Sequence, residues 1–120
     1  MSTVVAQSQV RIPGKKYNTW PHGVSYEIFV RSFADSNGDG IGDLNGITAK
    51  LSYLKDLGIE GLWLTPICPS PTYHKYDVTN YRSIDPEYGT MDDFKKLVKL
   101  AHEKGFKIIC SFTLLILCQN

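Results

Sequence analysis

The stretch of sequence that decides the fold covers residues 59–109: IEGLWLTPICPSPTYHKYDVTNYRSIDPEYGTMDDFKKLVKLAHEKGFKII. It begins with a short apolar run, Ile59 to Pro66, which is typical of a strand buried on both sides. It ends with FKII, residues 106–109, which begins another strand. Between them lies a helical pattern that Thr90 can cap and Gly105 can stop. The order strand, helix, strand predicts a parallel β/α unit with a right-handed crossover.

The same order extends towards the N-terminus. VSYEIFVRSF, Val24 to Phe33, alternates β-branched and aromatic residues and predicts a first strand. ITAKLSYLKDLG places Ile47, Leu51 and Leu54 on one face of a helix that ends at Gly58. The predicted fold class is therefore α/β, with three parallel strands and two helices. Two helices would leave one face of the sheet and both its edges poorly protected.

The two ends of the chain differ from this β/α part. Residues 1–23 carry no periodic pattern and predict an irregular N-terminal arm. Residues 110–120, CSFTLLILCQN, continue an apolar strand well beyond the usual ~5–6 residues, with no helix to cover it. An open sheet ending in such a run is an aggregation hazard.

Composition narrows the class of protein. The chain has 120 residues, and thirteen basic against twelve acidic side chains give a net charge of +1. That balance offers no electrostatic reason for a nucleic-acid or membrane-surface partner. Residues 1–16 do not read as a secretory signal, which predicts a cytoplasmic protein. The three cysteines form no CxxC pair, so neither a disulfide framework nor a zinc knuckle is supported.

A glycine-rich acidic loop follows the first strand. Its spacing, D-x-N-x-D-x-x-x-D with glycine at position six, is how a flexible loop wraps a hard cation. Position twelve is Gly46 where an EF-hand needs a bidentate Glu, so the loop departs from that motif. The spacing favours metal binding over a turn with solvated acids. The candidate oxygen ligands are Asp35, Asn37, Asp39, the carbonyl of Ile41, and Asp43.

A second long loop, residues 67–89, follows the next strand and is rich in proline and tyrosine. Loops that leave the carboxyl ends of parallel strands build active sites in such folds. Tyrosine rings can stack on the C–H face of a sugar, and His74 and Asp77 can hydrogen-bond its hydroxyls. The other interpretation is that the tyrosines pack the loop onto the sheet and His74 is an ordinary surface residue. The spacing alone slightly favours this second interpretation.

Residues 24–109 resemble the N-terminal part of the α-amylase family of glycoside hydrolases, and within it the intermediate α-amylases and α-glucosidases. The segments that carry the resemblance are YEIFVRSF, DSNGDGIGDLNGI, GLWLTPI, YHKYDVTNY and DPEYGT. The resemblance implies that this part of the chain is the N-terminal portion of a catalytic (β/α)₈ TIM barrel. Only the first three β/α units would be present, so that the barrel is truncated and incomplete.

The resemblance also implies ligands. It implies that the acidic loop binds calcium through the five ligands named above. Tyr73-His74-Lys75-Tyr76 resembles a Tyr-His-Gly-Tyr pattern in which the histidine bonds a glucose hydroxyl and the last tyrosine stacks on that ring. His74 and Tyr76 are therefore expected to bind an α-glucan or maltooligosaccharide. Lys75 replaces the usual glycine, which puts the local backbone in question, and Asp77 is expected to anchor the loop.

The reaction implied is retaining cleavage of α-glucosidic bonds, in which one carboxylate attacks and another protonates the leaving oxygen. In the family these acids come from later strands, and none of the twelve acids of this chain matches a catalytic position. Where the family has an aspartate and then Asn-His at the third strand, this chain reads CSFTLLILCQN, with Ser111 or a neighbour at the place of the aspartate. We expect an inactive fragment and interpret residues 110–120 as a frameshift or missed splice boundary.

Three other functions compete with this interpretation. Non-enzymatic heavy chains of amino-acid transporters resemble the same hydrolases, but a transmembrane helix precedes their barrel and none precedes Val24. A calcium module such as a dockerin needs two calcium loops, and one is present. A glycosyl-transferring relative, similar to trehalose synthase, stays possible within the family.

Overall fold

A computed structural model of the chain describes residues 23–112. The predicted arm before Gly23 and the tail from residue 113 onward lie outside these described residues. The elements in chain order are β1 (Ser25–Ile28), α1 (Val30–Phe33), α2 (Leu44–Ala49), α3 (Leu51–Asp56), β2 (Gly61–Leu64), α4 (Met91–Glu103) and β3 (Lys107–Cys110).

The three strands form one parallel sheet in the order β1-β2-β3. Ile28 pairs with Leu64, and Leu64 pairs with Cys110, so the three strands end at the same level. The α/β prediction is confirmed, because consecutive parallel strands with helices between them are the β/α units that the sequence indicated.

The first strand is shorter than predicted. It ends at Ile28, and Val30–Phe33 form a single helical turn, so the prediction of a strand through Phe33 was wrong. The β-branched and aromatic pattern does continue, but tertiary contacts override it. Val30 is buried, and the carbonyl of Arg31 accepts a hydrogen bond from the N–H of Gly42 at 2.7 Å. The chain must turn here to bring the acidic loop back against it.

The helix predicted to end at Gly58 is divided in two. Lys50, with φ −97° and ψ 2°, separates α2 from α3. The predicted apolar face is nevertheless confirmed, because Ile47, Leu51 and Leu54 are all buried. Gly58 has φ +84°, a left-handed conformation that glycine adopts at no steric cost, and it follows the end of α3.

The fourth helix begins and ends where the sequence predicts. The Thr90 hydroxyl accepts the N–H of Asp93 at 3.1 Å, and the Asp93 carboxylate accepts the Thr90 N–H at 2.8 Å. This capping box satisfies two donors at the helix start. Asp93 also accepts a hydrogen bond from Asn45 Nδ2 at 3.0 Å, which joins α4 to α2. Gly105, with φ +83°, follows the end of the helix.

The two faces of the sheet differ in burial. On one face, Ile28, Leu62 and Leu64 pack with helix residues such as Leu54 and Leu97 in the hydrophobic core. On the other face Trp63 is 45% exposed and Ile109 is 39% exposed. The prediction that the second strand is buried on both sides was therefore wrong for Trp63. An apolar run does not specify that both faces are covered. Within residues 23–112, no helix is long and apolar enough to cross a bilayer.

Candidate functional site

The two loops singled out by the sequence lie at the same edge of the sheet. One follows β1 and α1, and the other follows β2. Since Ile28 pairs with Leu64 in a parallel register, both loops leave the carboxyl ends of neighbouring strands. The Thr65 N–H also donates to the Ile28 carbonyl at 3.0 Å, which holds the two exits together. This edge is where parallel β/α folds place their ligands.

The acidic loop is organised by side chains that accept backbone hydrogen bonds. The Asp35 carboxylate accepts the N–H groups of Asn37, Gly38 and Gly40 at 3.0, 2.8 and 2.8 Å. Asn37 Oδ1 accepts the N–H of Asp39 at 3.0 Å in the same manner. Gly38 and Gly40 have φ values of +82° and +85°. The motif needs glycine at these positions because the backbone is left-handed there.

This arrangement affects the charge of the loop. The N–H groups of Gly40 and Gly38 hold the pKa of Asp35 below its ordinary value. Asp35, Asn37 and Asp39 are all exposed. The loop therefore presents anionic oxygens to solvent that are only partly compensated by backbone dipoles.

Asp43 differs from the other acids of this loop because it is buried, at 4% exposure. Its Oδ1 accepts the Gly46 N–H at 2.7 Å and its Oδ2 accepts the Ser36 N–H at 2.9 Å. Asp43 therefore has two roles: it caps the N-terminus of α2, and it holds the start of the acidic loop against its end. The capping role was not predicted, although an aspartate just before the first apolar residue of a helix is the usual signal.

Calcium requires oxygen ligands, and the candidate set supplies only oxygens. A carboxylate has about four acceptor positions, so backbone hydrogen bonds leave Asp35 and Asp43 capacity for a cation. Among residues 23–112, however, no group of three or more His, Cys, Asp or Glu side chains is placed to hold a metal ion. The residues match calcium in donor chemistry and in sequence spacing, but the structure does not gather their carboxylates around one point, and the calcium site stays a prediction.

The second loop is closed at its base by backbone hydrogen bonds. The Asp85 N–H donates to the Ile67 carbonyl at 2.8 Å, and the Thr79 N–H donates to the Pro69 carbonyl at 2.9 Å. The backbone carbonyl of Tyr88, a fully buried residue, accepts a hydrogen bond from the Leu44 N–H at 3.0 Å. The loop is therefore fixed both to itself and to the start of α2.

Lys75 lies inside this loop rather than on its surface. It is 2% exposed, and its Nζ donates to Asp85 Oδ2 and to Glu87 Oε2, each at 2.8 Å. Glu87 accepts a further hydrogen bond from Arg31 at 3.1 Å. Burial by itself lowers the pKa of Lys75, but the hydrogen bonds that its ammonium donates to Asp85 and Glu87 outweigh burial and leave the pKa above its ordinary value. This network was not predicted from the sequence.

His74 and Tyr76 lie on either side of Lys75 in the chain, and their rings are close together. Their ring centroids are 5.9 Å apart, and the Tyr76 N–H donates to His74 Nδ1 at 3.1 Å. That bond requires an Nδ1 without a proton, which corresponds to the Nε2–H tautomer, and the Thr72 hydroxyl lies 3.3 Å from the same Nδ1. Tyr73 packs edge-on against His74 at 5.3 Å and against Phe29 at 6.4 Å. The aromatic patch consists of Phe29, Tyr73, His74 and Tyr76.

The structure therefore brings together the two residues predicted to bind sugar. Tyr76 is 37% exposed and His74 is half-buried. Asp77, which we expected to anchor the loop, is half-buried, and the carboxylate that fixes the loop is Asp85. The one hint in the sequence is the lysine at a position where the resembling pattern has glycine, and it does not identify Asp85 as the partner.

The end of β3 carries no carboxylate. The Ser111 N–H donates to the Leu64 carbonyl at 2.8 Å, which continues the parallel ladder. The Ser111 hydroxyl accepts a hydrogen bond from Trp63 Nε1 on the open face of the sheet. At or next to the position where the resemblance implies an acid, Ser111 thus presents a neutral hydroxyl bound to an indole.

Comparison with known proteins gives a consistent result. The family model described as "Alpha amylase, catalytic domain" matches residues 27–114. The chain is 59% identical over 90 residues to Alpha-amylase 3 of Dictyoglomus thermophilum, which covers 75% of this chain and 18% of that protein. It is 50% identical over 100 residues to Probable oligo-1,6-glucosidase 2 of Bacillus subtilis, with 82% of this chain and 18% of that protein covered.

A solved structure agrees in fold as well as in sequence. Amy13B from Eubacterium rectale superimposes with a TM-score of 0.73 at 53% identity, covering 74% of this chain and 18% of that one. The chain spans less than a fifth of the length of the curated relatives described above.

Proposed function

The chain belongs to the family of the alpha-amylase catalytic domain, and from this premise we propose that it supplies part of the sugar-binding site of a glycoside hydrolase that cleaves α-glucosidic bonds in starch-derived oligosaccharides. The family consists of glycoside hydrolases that act on such bonds. The observation that carries the proposal for this chain is the placement of His74 beside Tyr76 at the ligand-binding edge of the sheet. The three β/α units are the scaffold that positions this pair.

The aromatic patch has the chemistry that a glucose unit requires. A pyranose ring presents C–H groups on its face and hydroxyls at its rim. The partly exposed ring of Tyr76 offers a flat apolar surface for that face. His74 has its Nδ1 occupied by the Tyr76 N–H, so Nε2–H is left to donate to a hydroxyl. The pair would therefore bind a neutral sugar through one stacking contact and one hydrogen bond.

Binding can be tested directly on the full 120-residue chain. Titration with maltotriose should perturb the NMR signals of His74 and Tyr76. Tyr76→Ala should weaken binding by about two- to tenfold, since an aromatic contact is worth ~0.5–1.5 kcal/mol. Tyr53→Ala is the matched control because Tyr53 is an exposed tyrosine on α3. Equal losses in the two variants, or unperturbed signals in the unmodified chain, would contradict the proposal.

Bond cleavage is a separate matter from binding. Retaining hydrolysis needs a nucleophile and an acid/base ~5–5.5 Å apart across the glycosidic bond. None of the twelve acids of this chain matches a catalytic position of the family. We therefore propose that this chain binds and orients a sugar but does not break its bonds. Purified chain should release no reducing ends from maltoheptaose above background, and measurable turnover would refute this.

We also propose that the acidic loop binds calcium. The ion would be held by Asp35, Asn37, Asp39, the carbonyl of Ile41, and Asp43. The support is an oxygen-only ligand set at the D-x-N-x-D spacing. When bound, the ion would neutralise the exposed carboxylates and stiffen the loop beside the aromatic patch. No step of the reaction depends on it.

A second candidate function is a non-enzymatic calcium-binding or partner module built on the same fold. The exposed acids of the first loop, which only backbone dipoles partly compensate, favour it over a purely structural fragment. Calcium binding with no response of His74 or Tyr76 to maltotriose would support this alternative. The location in the cytoplasm remains a prediction from the sequence.

A further inference from the structure

Lys75 holds a backbone conformation that lysine does not favour. Its φ is +59°, and within residues 23–112 it is the only residue other than glycine with a positive φ. A side chain in this region of backbone space persists only where its surroundings fix it. Its neighbours His74 and Tyr76 face outward in part, whereas Lys75 is 2% exposed. The tip of the loop is therefore turned so that one cationic side chain points inward.

The inward side chain reaches the returning limb of the same loop. Nζ donates to Asp85 and Glu87, and it lies 5.0 Å from the centroid of the buried Tyr88 ring. Asp85 in turn accepts the Glu87 N–H at 2.9 Å and donates its own N–H to Ile67. Lys75 thus fastens the tip of the loop to its base.

The same turn sets the relation between the two sugar-binding side chains. The hydrogen bond from the Tyr76 N–H to His74 Nδ1 spans Lys75, so the dihedral angles of Lys75 decide whether the bond can close. We propose that Lys75 is a positioning residue. Its ammonium, held between Asp85 and Glu87, fixes the turn that selects the Nε2–H tautomer of His74 and aims His74 and Tyr76 at one glucose unit. The glucose part of this inference rests on the proposed function.

The test uses the full chain labelled with ¹⁵N. Lys75→Met keeps an unbranched apolar stem out to the ε position but removes the ammonium and its charge. Lys75→Gly removes the anchor but accepts a positive φ. The control is Lys99→Met, because Lys99 is exposed on α4. The readouts are the ring nitrogens of His74, which report the tautomer, and the Tyr76 amide, which reports the hydrogen bond.

The unmodified chain and Lys99→Met should show a single tautomer with unprotonated Nδ1. Both Lys75 variants should show a mixture of tautomers and a Tyr76 amide shifted towards its solvent-exposed position. A His74 signature unchanged in Lys75→Met would overturn the proposal and leave Lys75 a merely stabilising residue. An unchanged signature in Lys75→Gly alone would overturn the role of the ammonium, since the turn would then need only the backbone.

A variant that fails to fold is recognised by collapsed dispersion of the Leu97 methyl signals, because Leu97 lies in the core away from this loop. If a Lys75 variant does not fold, Glu87→Gln is used instead. Glu87 is the partly exposed partner of Lys75, so its substitution should disturb folding less. Its His74 signature should change in the same direction by a smaller amount. No change at His74 in a folded Glu87→Gln would count against the proposal.

Maltotriose titration separates this inference from the proposed function. If both hold, the Lys75 variants lose at least tenfold in affinity while Lys99→Met keeps the original value. Undiminished affinity in Lys75→Met would overturn the positioning role. If the unmodified chain does not bind maltotriose, the proposed glucose site is wrong, and so is the role of Lys75 in binding glucose. The tautomer of His74 still decides whether Lys75 fixes the turn.

Discussion

The two loops at the carboxyl edge of the sheet compensate their carboxylates in different ways. In the acidic loop, Asp35 and Asp39 are exposed and accept only backbone N–H groups. In the loop after β2, the buried Asp85 is paired with the ammonium of Lys75. One loop thus contains its own cation, and the other presents anionic oxygens to a cation from solution. The comparison teaches that neighbouring loops at one edge of a sheet can be ordered either by a buried ion pair or by backbone N–H groups that donate to exposed carboxylates.

The largest effect is expected from removing the charge that pairs with the internal cation. Asp85→Asn keeps the shape of the side chain but leaves Lys75 with Glu87 alone. Breaking a buried pair costs ~3–5 kcal/mol, and because Glu87 remains we expect a loss of about 3 kcal/mol in the free energy of unfolding. Urea unfolding followed by circular dichroism measures it.

The control for this experiment is Asp56→Asn, which makes the same chemical change at an exposed position at the end of α3. It should change stability by less than about 0.5 kcal/mol, as surface substitutions usually do. Similar losses in both variants would show that the internal cation does not hold the second loop, and the contrast between the loops would be lost.

The next effect concerns the cation from solution. If the acidic loop binds calcium, an ion at a hundred times its dissociation constant should stabilise the chain by about 2.7 kcal/mol. Thermal unfolding with and without calcium measures this shift. Asp39→Asn should abolish most of it, because the amide can still accept the Ile41 N–H at 2.8 Å but carries no charge.

Magnesium is a useful comparison in the same assay, because it demands a smaller, more regular octahedral site and gives up its waters reluctantly. We expect it to stabilise the chain less than calcium. An unfolding temperature that is insensitive to calcium would remove the proposed cation and leave the acidic loop a turn ordered by backbone hydrogen bonds alone.

The two loops should respond to opposite ends of the pH scale. The pKa of Asp35 is lowered by the Gly40 and Gly38 N–H groups, so its contribution is present above the unfolded value of about 3.9 and is lost as pH falls through the folded pKa. The pKa of Lys75 is lowered by burial but raised overall by Asp85 and Glu87. Its contribution is present below about 10.4 and is lost as pH rises through the folded pKa.

Amide signals can follow the two transitions separately. Strong acid should shift the Gly38 and Gly40 amides, which donate to Asp35, and alkali should shift the Glu87 amide, which donates to the Asp85 carboxylate paired with Lys75. Simultaneous changes in the two loops at either extreme would mean that they lose order as one unit.

The smallest effect is expected at the edge of the internal network. Arg31 and Glu87 form an ion pair at 3.1 Å, with side chains that are 33% and 43% exposed. Exposed pairs contribute ~0.2–1 kcal/mol and are screened by salt. Arg31→Met should therefore cost about 0.5 kcal/mol in dilute buffer and less at high ionic strength. A loss of stability comparable to that of Asp85→Asn would show that Arg31 contributes as much as the buried Lys75–Asp85 ion pair.

Local signals account for the parts of the fold that the sequence could predict. Thr90 and Gly105 are the start and stop of α4 because capping and left-handed backbone depend on neighbouring residues only. The turn after Ile28 escaped prediction because the burial of Val30 and the return of the acidic loop decide it. Trp63 lies in an apolar run, and a run does not say which of its faces another layer covers.

The same division applies to the candidate site. The D-x-N-x-D spacing and the His74–Tyr76 pair are visible in the sequence, because each lies within a few residues. The pairing of Lys75 with Asp85 depends on closure of the loop between Ile67 and Asp85, and no local pattern specifies it. The residue that replaces the expected glycine does adopt a positive φ, so the backbone there keeps the conformation that glycine favours.

The order of the strands in the sheet has a consequence for how the protein is made. Because β1, β2 and β3 are neighbours in the sheet and consecutive in the chain, each new strand leaving the ribosome meets a partner that has already been synthesised. Among the strands of residues 23–112, none has to be inserted between two earlier ones. The sheet can therefore grow at one edge during translation, one β/α unit at a time.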